Sequence, residues 1–307
     1  MKFSTLIWDV EPFDEPIPAS SLHFETTGGT TYPDGAEECE IRFWNDSVDT
    51  KQDVLDGEGK ETQIRDGEGG RKELWAKNPG DAEFRMSMVP GVQYRYINMS
   101  GDTIYIERVL FSQSLALQSE EYRSLFTKAG IELPLGTLAP VLYIITPEGI
   151  VATVRGSGTP KYPGGIWGVG GDVDNPSITL AQHLKNKELK EELVVPAGIN
   201  DMITLGLVFD KALMKHDIVV VAKTESHFSE IKKGDGYLPD VESVMYISLD
   251  GLSSFLIHNF VPIPDATNKC WIGKPTPACS GGLFLVGSHI NGPVWQDRVH
   301  LELQDIR

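Results

Sequence analysis

The chain has 307 residues but only three cysteines, Cys39, Cys270 and Cys279, and none stands in a C-x2-C pair. That spacing offers neither a zinc site nor a disulfide framework and fits buried, reduced thiols in a cytoplasmic protein. Its seven histidines form no H-x-x-x-H or H-E-x-x-H spacing. No G-x-S-x-G elbow or P-loop is present, which removes the usual serine-hydrolase and kinase signatures. Basic residues are few: 27 Lys and Arg face 44 Asp and Glu, for a net charge of −17. Broad nucleic-acid binding, which needs clustered cations, is therefore excluded. A single nucleotide is not, because a metal and one or two basic side chains can meet its few phosphates. No apolar run approaches the ~20 residues of a membrane helix. The opening MKFSTLIWDVEPFDEP lacks a secretory signal, since its apolar stretch is short and acids follow at once. These absences predict a cytoplasmic protein with no membrane and no nucleic-acid partner.

With 40% hydrophobic residues, the chain has ample material for a core. In the first part, Lys2–Trp8, Cys39–Trp44, Val92–Asn98 and Thr103–Phe111 read as strands, the last two as a hairpin around Ser100-Gly101-Asp102. Residues 46–83 are rich in Asp, Glu, Lys and Gly and read as long turns or an insert. Residues 119–130 read as a short capped helix ended by Gly130. Further on, Val141–Thr146 and Gly149–Arg155 form a hairpin about Pro147-Glu148, and Met202–Phe209, Asp217–Lys223 and Val244–Leu249 read as strands. A helix over Gly251–Asn259, capped by Asp250, follows. Residues 280–291 suit a buried helix or a strand equally, and Trp271 and Trp295 read as packing residues. The division predicted is a β-rich N-terminal domain at 1–115 and an α/β/α domain at 116–307.

Residues 168–193, GVGGDVDNPSITLAQHLKNKELKEEL, carry the most chemistry. A glycine turn precedes a helix for which Asn175 is a good N-cap and Pro176 a good first residue. Glu188, Glu191 and Glu192 stand at i, i+3 and i+4, so three like charges crowd one helix face at a cost of a few tenths of a kcal/mol per pair. An oxygen-seeking cation relieves that conflict, and Mg²⁺ is typically held by one or two carboxylates with substrate phosphates and water. His183 is expected to point away from this face into solvent.

KELKEEL at Lys187–Leu193 behind a Gly-Gly turn resembles the core of the Nudix box, G-x5-E-x7-R-E-U-x-E-E-x-G-U with U apolar. Glu188 matches the glutamate after the motif arginine, Leu189 the apolar position, Glu191 and Glu192 the paired metal-binding glutamates, and Gly171 the first glycine. The chain departs from the pattern in four places. Gly171 lies two residues too early, Thr179 sits where an isolated glutamate belongs, Lys187 replaces the arginine, and Val194 replaces the late glycine. A fainter likeness over the whole chain is to UDP-sugar diphosphatase-type members of that superfamily. It rests on ELW at 73–75, Asn78-Pro79, EFR at 83–85, EEYRSLF at 120–126 and a Gly-rich apolar segment near the end.

The resemblance implies an α/β fold of Nudix type, a mixed β-sheet sandwiched between helices, preceded by the β-rich domain. It implies a pyrophosphohydrolase that uses Mg²⁺ or Mn²⁺ to split a nucleoside diphosphate joined to another group, a nucleotide sugar above all. Glu188, Glu191, Glu192 and the Gly171 carbonyl would hold the metal, with Glu188 either a ligand or the base that orients water. Lys187 would brace the helix, and Arg155 and Gly171 would meet the substrate. Asp172, Asp174 and Glu242 are the candidates to replace the glutamate missing at Thr179. The implied partner is a small-molecule nucleoside diphosphate derivative, and a homodimer is allowed. The alternative is a Nudix-fold nucleotide-binding protein with weak or no hydrolysis, which Thr179, Lys187 and Val194 favour because lysine lacks the bidentate fork of arginine.

Overall fold

A computed structural model describes residues 2–47, 93–156, 162–173, 175–234, 241–263 and 269–306. The strands are β1 (Phe3–Ser4), β2 (Trp8–Pro18), β3 (His23–Thr27), β4 (Gln93–Ser100), β5 (Thr103–Val109), β6 (Leu138–Ile145), β7 (Gly149–Arg155), β8 (Ile166–Trp167), β9 (Val169–Gly170), β10 (Leu193–Val194), β11 (Ile203–Asp210), β12 (Lys215–Lys223), β13 (Lys232–Lys233) and β14 (Val241–Ser248). A nine-stranded sheet runs β1-β2-β11-β12-β6-β7-β14, with β8 on β7 and β9 on β6. Its one parallel pair, β12 with β6, lies at the centre. Every residue of β6 is buried, as expected for a strand covered on both faces. The α/β class expected from the sequence is the one observed.

The two faces hold separate cores. Along β12, Val219 and Val221 point into one, with Phe284, Leu283 and Leu256. Ile218 and Val220 point into the other, with Leu180, Leu184, Phe24 and Ile106. The first face is covered by the helices Leu252–Asn259, Pro277–Asn291 and Pro293–Gln304. The second is covered by the segment Leu180–Glu192 and by a three-stranded sheet, β3-β5-β4. Residues 280–291 are thus helical, and Trp271 is fully buried against Tyr162.

Several elements differ from the sequence reading. The strand expected at Lys2–Trp8 is present only as the short β1, and the longer strand lies later, as β2, which pairs with β1 and with β11 in the large sheet. Trp8 and Val10 are buried there, and the Trp8 indole N–H donates to Ser280 Oγ at 3.2 Å. Residues 2–18 therefore belong to the same sheet as β6 and β7, because their apolar alternation has its burial partner in β11. Residues 39–44 are not a strand but part of the helix Ala36–Ser47. Its buried positions Ala36, Cys39 and Glu40 follow helical spacing, and Cys39 N–H bonds back to Gly35. The helix Glu120–Ala129 matches its expectation at both ends, with Ser119 as N-cap and Gly130 as left-handed C-cap. Asp250 does not cap the next predicted helix; Gly251 holds that position without a side-chain bond. Most of the charged stretch at 46–83, and the motifs at Glu73–Arg85, lie outside the described residues.

Candidate active site

Strands β6 and β7 pair only at Ile144–Val151 and Ile145–Ile150 and then diverge. The segment 166–170 fills the gap, β8 pairing with β7 and β9 with β6. Thr153 Oγ1 donates to the carbonyls of Trp167 and Gly168 and fixes the crossing. Gly170 passes so close to Pro140 that a Cβ there would lie 2.1 Å from its carbonyl oxygen. The turn Gly171–Val173 then leaves the sheet towards the acidic helix.

That helix does not begin at Asn175-Pro176. Asn175 Oδ1 accepts from Ser177 N–H in a local turn, and the helix starts at Leu180. Thr179 is its N-cap, and with Gln182 it makes a reciprocal capping box. The residue found where the family pattern has glutamate is thus occupied in starting the helix. The helix is α over Leu180–His183, π over Leu184–Glu188 and α again over Leu189–Glu192. A π turn closes i→i+5 and takes in an extra residue, so part of the two-residue excess between Gly171 and Glu188 is absorbed inside the helix.

The π turn also corrects the expectation for His183, which is buried rather than exposed. Its Nε2 lies 3.3 Å from Glu188 Oε1, five residues along. Lys187 Nζ lies 3.3 Å from the same oxygen. Glu188 is 2% exposed, and its carboxylate packs on Gly171, where a Cβ would meet the two oxygens at 2.7 and 2.8 Å. Only glycine at 171 leaves that space. Glu191 and Glu192 are half-buried in the last turn, where Gly234 N–H donates to the Glu192 carbonyl at 2.7 Å. The structure therefore brings Gly171, Lys187 and Glu188 together, with His183 added, and places Glu191 and Glu192 one turn on. Among the described residues, no three His, Cys, Asp or Glu side chains form a group able to hold a metal ion.

Arg155 lies elsewhere, at the end of β7. Its guanidinium carbon sits 5.4 Å from the centroid of the Trp167 ring, and its buried Nε makes no hydrogen bond among the described residues. Lys215 Nζ lies over the same ring at 5.2 Å. Lys215 also pairs with Asp217 at 3.2 Å and stands 3.8 Å from Asp172, whose other oxygen accepts from Gln93 at 2.9 Å. Asp210, fully buried nearby, accepts from Tyr162 and from the N–H groups of Ala212 and Leu213. Burial raises the Asp217 and Asp210 carboxyls, and Lys215 opposes this in both. Burial would lower the Lys215 ammonium, but Asp217, Asp172 and Asp210 reverse the shift and raise it. Of the candidates for the missing glutamate, Asp172 joins this cluster, Glu242 is exposed on the edge strand β14, and Asp174 lies outside the described residues. Lys215 and Asp217 escaped the sequence reading, although two charges in phase with Val219 and Val221 mark buried positions of one strand face.

No protein-family model and no curated protein sequence matches the chain. Among solved structures it is similar to DR0079 from Deinococcus radiodurans, at 13% identity and a TM-score of 0.31, over 44% of this chain and 78% of that one. It is also similar to Tm1382, a candidate Nudix hydrolase, at 13% identity and a TM-score of 0.29, over 53% of this chain and 80% of that one. No helix among the described residues is long and apolar enough to cross a membrane.

Proposed function

We propose that the chain is a pyrophosphohydrolase of Nudix type, acting in the cytoplasm on a nucleoside diphosphate joined to a second group, with a nucleotide sugar as the first substrate to try. The observation that carries this reading is Glu188, a buried carboxylate at the end of a π turn, packed on a glycine that admits no side chain. A buried charge costs stability unless it is paired or used. Glu188 Oε1 accepts no hydrogen bond and is met only at ion-pair distance by Lys187 and His183. Such a carboxylate fits a role towards a cation.

The chain does not offer three side-chain ligands in one group, and Mg²⁺ commonly needs only one or two carboxylates with substrate phosphates and water. Glu188, Glu191 and Glu192, with the Gly171 carbonyl, are the groups that would hold Mg²⁺ or Mn²⁺. Bound there, the ion would supply charge neutralisation of the diphosphate and a bound water of lowered pKa. The chain's own part is to fix the Glu188 carboxylate against Gly171, and to meet phosphate with Arg155. Among the motif residues, none pairs a covalent nucleophile with a positioned base.

The test is release of nucleoside monophosphate from a panel of nucleotide sugars and dinucleotides, with and without Mg²⁺ or Mn²⁺. Glu188→Gln should lower kcat by about 100-fold or more while changing KM little, since its work is done mainly in the transition state. Metal-independent release, or a variant as fast as the parent, would overturn the assignment. A second reading, nucleotide binding without hydrolysis, is favoured by Lys187 beside Glu188, because this cation offsets its charge with no metal. It prevails if the panel shows no cleavage while nucleotides still raise the melting temperature.

A further inference from the structure

We propose that Lys215 and Arg155, both set over the Trp167 indole, form a two-cation clamp for the diphosphate of the substrate. This rests on the substrate class proposed above. It adds a residue from the opposite face of the sheet to the site. The geometry is that of two donors held ready. The Lys215 ammonium has three N–H groups. Asp217 engages it at 3.2 Å, and Asp172 at 3.8 Å is beyond hydrogen-bond range. The Lys215 side chain is 11% exposed, so it reaches the surface beside the turn that leads to Glu188. Arg155 brings a planar fork suited to phosphate oxygens, and its buried Nε has no acceptor among the described residues.

Trp167 is itself fixed against β7. It pairs with Thr153 of β7, and its carbonyl accepts from Thr153 Oγ1. Cation–π contact on its ring at 5.4 and 5.2 Å orients both side chains without using up their hydrogens. Beneath them, Asp217 and Asp210 keep an ammonium tolerable in a dry setting. The same acids select the ligand. A monoanion gains little from a lysine already paired with one carboxylate, whereas a diphosphate carries enough charge to engage both cations.

The probe is a nucleoside diphosphate analogue with a methylene bridge between its phosphates, titrated calorimetrically in EDTA so that neither metal nor turnover enters. The parent should bind it, and Arg155→Met should weaken binding by about tenfold or more. Lys215→Met alone leaves Asp217 buried beside no cation and risks unfolding. The double variant Lys215→Met/Asp217→Leu removes both charges and should fold, yet lose affinity by a similar factor. Lys215→Arg should retain most of the affinity, which a merely structural role for the lysine does not predict. If the folded double variant binds as tightly as the parent, or the parent does not bind the analogue, the clamp is wrong. If the parent binds the analogue but releases no nucleoside monophosphate from the hydrolysable nucleotide sugars and dinucleotides in the presence of metal, the hydrolase reading fails and the clamp stands.

Discussion

Two ion-paired lysines flank the glycine turn, and they sit in different dielectric settings. Lys187 meets Glu188 on the face covered by Leu180–Glu192, with its own side chain 34% exposed and that of Glu188 3% exposed. Lys215 meets Asp217 on the opposite face, where the lysine side chain is 11% exposed and the aspartate fully buried. The distances are nearly equal, at 3.3 and 3.2 Å. Both carboxylates are buried, so the exposure of the lysine and the presence of a second partner decide what each pair is worth: water reaches Lys187, and His183 Nε2 also lies 3.3 Å from Glu188. A buried carboxylate that loses its cation is left to bear its desolvation alone.

The largest effect should follow from breaking the buried pair. Lys215→Met is expected to cost about 3–5 kcal/mol of folding stability, and Lys187→Met less, because His183 Nε2 stays beside Glu188 Oε1, both by urea denaturation. Equal losses in the two variants would show that neither lysine exposure nor the second partner separates the pairs. Between the lysines, Gly171→Ala should cost about 1–3 kcal/mol, because its Cβ must displace the packed Glu188 carboxylate. Any hydrolytic activity should fall with it; a fully stable and active variant would show that Glu188 is free to move.

His216, between Lys215 and Asp217 in sequence, sharpens the comparison from the other side of β12. It stacks on Tyr96 and Phe209 at 4.8 and 5.0 Å. Burial, with a smaller push from Lys2, lowers its pKa from 6.5 to about 4. The folded state thus refuses a proton that the unfolded chain accepts. Stability present above pH 6.5 should decline as pH falls towards 4, by about 2 kcal/mol at pH 5, and the decline should end below that window. His216→Phe should remove this component from a pH series of denaturation curves. The smallest effect is expected at Thr179→Ala, about 1 kcal/mol from loss of the capping box, against almost nothing for Asn175→Ala, whose side chain lies before the helix.

Much of the sheet was legible because β6, β7, β11 and β12 are continuous apolar, β-branched runs, and such runs have few alternatives to a covered strand. The helix Glu120–Ala129 was legible from its caps alone. At the site, the pairing of Glu188 with Gly171 followed from the motif resemblance, but the surroundings did not. His183 was misplaced because an α-helical phase was assumed across a segment that forms a π turn. Asn175-Pro176 carries a start signal as good as that of Thr179 and Gln182, and tertiary position chose between them: Leu180 N–H bonds to the Leu22 carbonyl and Ala181 N–H to that of Ala19. Residues 39–44 alternate like a strand, yet Cys39 clusters with Tyr122 and Phe126, which are helical and distant in sequence. Lys215 and Asp217 looked like the polar start of a strand, since their partners Asp172 and Asp210 come from other loops and strands.

The pairing of β2 with β11 has a kinetic consequence. Trp8 lies opposite Asp210, and Pro18 opposite Ile203, so the contact joins residues about 190 positions apart. Trp8 is also tied to Ser280, still further along the chain. Neither contact can form on a ribosome until the later segment has emerged. Contacts of such long separation close slowly, so β2 must wait, its apolar residues uncovered, until β11 has emerged. Refolding followed by Trp8 burial should accordingly lag behind formation of the central hairpin, and Trp8→Phe, which loses the Ser280 bond and part of the packing, should speed unfolding more than it slows folding.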